Sequence, residues 1–368
     1  MKSSKIRALL RFIHLYLLMS VSVVTCACAD PQSAPPLKIG AIYGFTGVAN
    51  TWSLQARRGI ELARDEINDA GGVHGRKLEI VFEDSATTPR GAVTAFNKLV
   101  KTDRVHAVIG DIFSFVTLPL VPLAQTNKIV LITPSIFDTD LPTNSDYFFT
   151  TCPRKESIIA PVDRFFTLHP DVKRVAIICA DNTWGLTYLD VWKTIAEKHK
   201  VTVVDQNCIS DYSTDMRAEV LRAKTKQPDA VIVAFAIDRA LKRMQELQFS
   251  PRVLTTSDLD EAIHSRGLST TEAEGVYFVD WLASDSFQKR FMARFSTAPI
   301  MAPQNSYEAV KVVAEGLRLN NNDLQQAIQS LNYSGDIGAV DFGGTRAGNR
   351  ARATLRVVHN GTIQSVME

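Results

Sequence analysis

Residues Leu37–Thr88 constrain the fold more than any other stretch. Lys38–Tyr43 is a short apolar run rich in Ile and closed by Gly44, the pattern of a buried strand. Ser53–Ala70 then carries Ala56, Ile60, Ala63 and Ile67 at helical spacing, which gives one buried face. Gly71 and Gly72 follow, where a helix C-terminus favours residues that tolerate positive φ. The chain turns over His74–Lys77, and Leu78–Phe82 reads as a second strand. A strand–helix–strand unit joins parallel strands through a right-handed crossover. In open sheets of this kind ligands sit at the carboxyl ends of the strands. The loop Gly44–Trp52 lies there, is rich in small residues and ends in an aromatic.

The alternation continues. Helices are expected over Gly91–Val100 and from about Ser114, the latter irregular because of Pro119 and Pro122. Strands are expected at Ala107–Gly110 and Ile129–Thr133, with Tyr147–Thr151 extended. The pattern then restarts: helix Ser157–Leu168, strand Arg174–Ala180, helix Gly185–Lys198, strand Val201–Asp205, helix Thr214–Thr225 and strand Ala230–Phe235. Helix Asp238–Gln248 and strands Arg252–Thr256 and Gly275–Val279 complete it. Two such runs predict two doubly wound, parallel-sheet α/β lobes. Helices near Ser286–Arg294, Ser306–Leu319 and Leu324–Leu331 follow, and Arg350–Val358 begins a hairpin turning at Asn360-Gly361.

The amino-terminal end is a secretory signal over residues 1–29. Lys2, Lys5, Arg7 and Arg11 precede an apolar run, Phe12–Val24, and small residues at Ala27 and Ala29. Cleavage after Ala27-Cys28-Ala29 is one outcome. The preferred one is lipidation, since Thr25-Cys26-Ala27-Cys28 resembles a lipoprotein box that makes Cys28 the first residue, with residues 30–36 as a tether. Taking the four signal-peptide cations from 41 Lys and Arg leaves 37 against 39 Asp and Glu, a net charge of −2. That balance gives no footprint for nucleic acid or an anionic membrane. Cys179 and Cys208 end or follow apolar strands and could pair if those strands are neighbours, but buried thiols are preferred, as for Cys152.

No motif supports catalysis. The chain has no G-x-S-x-G, H-E-x-x-H, P-loop or G-x-G-x-x-G, and its seven His stand apart. Glu83-Asp84 is a carboxylate pair only in sequence, because neighbouring strand residues point to opposite faces. No metal or cofactor is expected.

INDAGGVHGRKLEI followed by EDSATTP closely resembles the leucine/isoleucine/valine-binding type of periplasmic solute-binding protein, which serves ABC importers. The likeness runs over nearly all of the chain after residue 37. It implies the type I periplasmic-binding-protein fold, with two lobes joined by a three-strand hinge. It places crossings near Pro153, Trp281 and Tyr333, so that the first lobe is 37–153 plus 282–333 and the second 154–281 plus 334–368. It also implies a periplasmic or extracytoplasmic monomer, a small-molecule ligand and permease subunits as partners.

The same resemblance locates a site. Ser114, either a helix cap or a carboxylate ligand by its position, matches a family Ser that binds an amino acid's carboxylate. Thr133-Pro134-Ser135-Ile136-Phe137 matches a T-P-A-A-T stretch whose backbone and last Thr hold the same head group, with Phe137 in place of that Thr. Trp52 and Trp184 stand where the family has ligand-facing Tyr residues, Trp184 within Asp181-Asn182-Thr183-Trp184-Gly185. Phe235 ends a strand and faces either pocket or core. Asp258 matches a Glu that pairs with the ligand's ammonium, or else caps the segment after it. An anion site, a carboxylate and aromatic walls point to an amino acid with an apolar or aromatic side chain. Two alternatives stay open: a sensor of the same fold serving a signalling partner, and a binder of carboxylates or amides lacking an ammonium.

Overall fold

The computed structural model describes residues 34–137, 141–142, 144–210, 215–281, 283–343 and 345–366. The signal peptide, Cys28 and residues 30–33 of the tether lie outside them.

The first sheet contains β1 (Leu37–Tyr43), β2 (Leu78–Asp84), β3 (Ala107–Gly110), β4 (Val130–Thr133) and β5 (Phe148–Thr150). Their order is β2-β1-β3-β4-β5, and every pairing is parallel. Alternate residues of each central strand enter different cores, as the pleat requires. Ile39, Ala41 and Tyr43, with Ile109 and Ile132, pack with helices Asn50–Asp69 and Met301–Leu319. Ile42, Val108 and Leu131 pack on the other face, with helix Pro89–Lys98 and the broken helix that follows β3. Burial on both faces is why these strands read as unbroken apolar runs.

Helix Asn50–Asp69 buries Ala56, Ile60, Ala63 and Ile67, and ends at Gly71 and Gly72, whose φ values are 94° and 75°. Its neighbour is helix Met301–Leu319, and a Cβ at Gly59 would stand 2.0 Å from the Pro303 carbonyl oxygen. The helix after Ser114 is interrupted as its prolines predict: α-helix Ser114–Thr117, a 3₁₀ turn Leu118–Leu120, then α-helix Val121–Asn127.

The second sheet contains β6 (Arg174–Ala180), β7 (Thr202–Ile209), β8 (Ala230–Val233), β9 (Arg252–Thr255), β10 (Tyr277–Trp281), β13 (Ala353–His359) and β14 (Thr362–Ser365). Its order is β14-β13-β10-β9-β8-β6-β7. The parallel part repeats the order of the first sheet, and β13 and β14 add an antiparallel hairpin. Asn360 and Gly361 form its turn with φ of 52° and 70°, as a two-residue turn with both central residues at positive φ requires.

The hairpin β11 (Asn332–Gly335) and β12 (Gly338–Asp341) was not evident in the sequence. Leu331, Ile337, Val340 and Phe342 join the core under the first sheet. Tyr333, where a crossing was expected, therefore still packs with the first lobe. The chain enters the second sheet only with β13.

One expectation is corrected. Cys179 and Cys208 form a disulfide rather than two buried thiols. β6 and β7 are parallel neighbours, and their register places Cys179 directly opposite Cys208, with Cα atoms 4.3 Å apart. β7 runs four residues beyond the expected Asp205, which is what carries Cys208 into the sheet. Cys152 is buried in the second core.

Candidate ligand-binding site

Both sheets share one construction. In each, the first strand lies between the second and the third, and the chain reverses its winding between the first and third strands. That switch point opens a crevice at the strands' carboxyl ends. A cavity of about 160 Å³ sits there, walled by the segments after β1, β3 and β4 in one lobe, by those after β6, β8 and β9 in the other, and by Ile300, Met301, Ala302 and Asn305 at the start of helix Met301–Leu319. An engineered apolar cavity of about 150 Å³ admits benzene, so the space suits one small molecule.

Trp52, Ile112, Phe113, Ser114, Pro134 and Ser135 form the first lobe's wall. Asp111 shapes it. Its carboxylate accepts from Ser85 Oγ at 2.7 Å and from the N–H groups of Ile112 and Phe113, while Thr117 Oγ1 accepts from its own N–H at 2.8 Å. Burial pushes the Asp111 carboxyl up to about 6, against the pull of those bonds. Ser114 is the first residue of its helix and not the cap; the cap position is Phe113, with no side-chain cap hydrogen bond. The Ser114 side chain therefore borders the cavity without a capping role.

The expected first-lobe residues divide. Ser135 lines the cavity, but its hydroxyl donates to the Ile112 carbonyl and so steadies the loop after β3. Ile136 and Phe137 do not border the cavity. Ile136 packs under the first sheet and its carbonyl accepts from Thr150 Oγ1 at 2.6 Å. Phe137 is buried against Tyr188 and Trp281 of the second core, with ring centroids at 5.8 Å and 6.4 Å. The chain turns away from the cleft after Ser135.

In the second lobe Asn182 Oδ1 accepts from Gly185 N at 2.8 Å and caps helix Thr183–Lys198. A Cβ at Gly185 would lie 2.2 Å from the Ala180 carbonyl oxygen, so this turn needs glycine. The tight turn brings Trp184 to the cavity, backed by Tyr188 at 4.9 Å. Phe235 both lines the cavity and belongs to the second core. Trp184→Ala is expected to raise the dissociation constant of a ligand with an apolar side chain by about tenfold to a hundredfold. An unchanged constant by calorimetric titration would make Trp184 a packing residue only.

Asp258 opens helix Asp258–Ser265 and lines the cavity, but its carboxylate is already engaged. Oδ1 accepts from Arg266 Nη1 at 2.9 Å and Oδ2 from Ile237 N at 2.9 Å. Arg266 also meets Asp238 at 3.0 Å and Glu261 at 3.6 Å. Glu261 and Arg266 both border the cavity, and the sequence reading named neither. A signal existed: Asp258 and Glu261 are three residues apart and share a helix face. Burial first, then the Asp258 carboxylate, pushes the Glu261 carboxyl up to about 8, while Arg266 acts the other way. Trp52 borders the cavity from the first lobe, where its ring meets Phe113 edge-on at 5.8 Å.

Raised carboxyls set a pH dependence. Burial raises Glu261 to about 8, Glu308 to about 7 and Asp111 to about 6, and it raises Asp280 too, with Asp260 adding to the shift. Each keeps in the folded chain a proton that the unfolded chain releases near pH 4. Folding therefore takes up protons between about pH 4 and pH 8, and stability falls as pH rises through that window. The unliganded protein is expected to melt higher at pH 5 than at pH 8; a higher melting temperature at pH 8 would contradict this.

Among the described residues no group of three or more His, Cys, Asp or Glu could hold a metal ion, and no helix is long and apolar enough to cross a membrane. The sequence profile of the family described as periplasmic binding protein matches residues 36–361. The chain belongs to that family. As a periplasmic binding protein it is of an extracytoplasmic, solute-binding kind. It is 26% identical over 363 residues to "Leu/Ile/Val-binding protein homolog 3" of Brucella melitensis, covering 89% of this chain and 96% of the relative. Its fold is similar to that of the branched-chain amino acid transporter substrate-binding protein of Streptococcus pneumoniae, solved with isoleucine. The TM-score is 0.79 at 20% identity, over 90% of this chain and 99% of that one. It is also similar to an R. palustris solute-binding protein solved with benzoate, at TM-score 0.78 and 18% identity over 90% and 95%. The two-lobed type I architecture is shared with these fold neighbours.

Proposed function

We propose that this periplasmic binding protein delivers an amino acid with an apolar or aromatic side chain to an ABC importer, enclosing it between its lobes. The observation that carries this is a cavity bordered from both switch points, with Trp52 and Phe113 on one side and Trp184 and Phe235 on the other. Aromatic walls favour an apolar or planar side chain, and the charged groups lie on one wall only, as an asymmetric head group needs. The names of the relatives agree: one is a Leu/Ile/Val-binding protein homolog and one fold neighbour holds isoleucine. Ser114 is proposed to receive the ligand's carboxylate. The segments between the lobes serve as the hinge, and the closed form is the one that the permease reads. Action as a monomer, tethered through a lipid on Cys28, completes the proposal.

A ligand without an ammonium is favoured by one observation, the engagement of Asp258 by Arg266, and by the neighbour that holds benzoate. A thermal-shift screen of residues 30–368 separates the two. A ligand bound only by the folded state raises the melting temperature by mass action. Shifts with Leu, Ile, Val or Phe support the amino-acid reading, and shifts with simple carboxylates alone replace it.

A further inference from the structure

We infer that Glu261, and not Asp258, is the carboxylate that receives the ammonium group of the ligand. The inference rests on the amino-acid reading above and assigns one determinant of it. Asp258 has both oxygens bonded, to Arg266 and to the Ile237 N–H. Glu261 lies one helical turn further on and borders the same cavity. It is 5% exposed, and its Oε1 has no hydrogen-bond partner among the described residues. A buried polar atom left unbonded beside a cavity marks a place where a ligand can complete the set.

The surroundings favour a cation. Glu261 faces Asp258 on its own helix, Asp238 on helix Ile237–Glu246, Arg266 after its helix, and Trp52 from the first lobe. Arg239 also borders the cavity. Arg266 is shared among three carboxyl groups, at 2.9, 3.0 and 3.6 Å, and Glu261 is the farthest. Without ligand, burial and the Asp258 charge favour the neutral acid. An arriving ammonium supplies both a counter-charge and a hydrogen-bond donor, so Glu261 gives its proton to solvent and a charge-assisted bond forms. Asp258 then acts as a positioning residue, holding Arg266 and the start of helix Ile237–Glu246.

Calorimetric titration of the parent and of Glu261→Gln tests the inference, with Leu, Ile, Val and Phe as one probe series and 4-methylpentanoate and 3-phenylpropanoate as their des-amino counterparts. The parent is expected to bind the amino acids and to release about one proton per ligand at pH 7, read from the difference between two buffers of unlike ionisation heat. Glu261→Gln is expected to bind them about a hundredfold more weakly or worse, with proton release gone and the unliganded melting temperature at or above the parent's. Parent-like amino-acid affinity in Glu261→Gln overturns the inference and leaves the amino-acid reading standing. A parent that binds only the des-amino series overturns both but keeps a solute-binding protein. Binding of neither series removes the amino-acid reading together with the role of Glu261.

Discussion

Arg266→Met is expected to lower the melting temperature more than any other single change at the site. Arg266 is the cation facing Asp238, Asp258 and Glu261, and the last two side chains are 9% and 7% exposed. Removing one partner of a buried ionic group costs about 3–5 kcal/mol, because the remaining charges have neither water nor a counter-ion. Met keeps most of the aliphatic volume, so packing loss is a small part of the effect. For a chain of this size, with an unfolding entropy of about 2.1 cal/mol/K per residue, about 3 kcal/mol corresponds to roughly 4 °C in Tm. The loss is expected to be smaller at pH 5. Without Arg266 the Glu261 carboxyl is raised further, and a carboxyl raised in the folded state costs stability as pH rises. Thermal denaturation at pH 5 and pH 8 checks both parts; a variant as stable as the parent at pH 8 would show that the cluster is not held by Arg266.

Loss of the Cys179–Cys208 bond is expected to be nearly as damaging. The two residues are 29 apart in sequence, and a bridge of that span limits the unfolded chain by roughly 3–4 kcal/mol in the loop-entropy account. The bridge also lies just ahead of a segment that lines the site. Immediately beyond it, Asp181 N donates to the Ile209 carbonyl at 2.9 Å, and Asn182 and Trp184 follow. The Cys179→Ala, Cys208→Ala double variant is therefore expected to melt lower than the oxidised parent and to bind ligand less tightly. Reductant is expected to lower the parent's melting temperature and to leave the double variant unchanged. A parent whose melting is indifferent to reductant, and equal to that of the variant, would contradict the contribution of the bridge.

The sheets were legible because parallel strands covered on both faces leave continuous apolar runs, as in β1, β3, β4 and β8, and because helix Asn50–Asp69 shows its face at regular spacing. The terminal hairpin was legible from Asn360-Gly361 alone. β11 and β12 were not, because their burial alternates weakly and includes two glycines, so neither period stands out. The disulfide depended on register. Whether Cys179 meets Cys208 is decided by where β7 starts against β6, including a register shift between Val175 and Ala176, and no local pattern encodes that.

The site was legible where a position in the fold fixes a side chain's direction. Trp52, Ser114, Trp184, Phe235 and Asp258 all follow the carboxyl ends of strands, and all border the cavity. It was not legible where partners decide. Ile136 and Phe137 follow β4 as well, but the bond from Thr150 and the pull of Tyr188 and Trp281 take them out of the cleft. Asp258 was visible as a carboxylate, but its engagement depends on Arg266, eight residues on, just past the end of the helix that Asp258 opens.

The most direct measurement is a calorimetric titration of purified residues 30–368 with L-leucine, L-isoleucine, L-valine and L-phenylalanine at pH 7. Saturable binding of at least one of them, one ligand per chain, is the predicted result. No heat and no saturation with any of the four, alongside saturable binding of a simple carboxylate, would contradict the claim that this cleft encloses an amino acid.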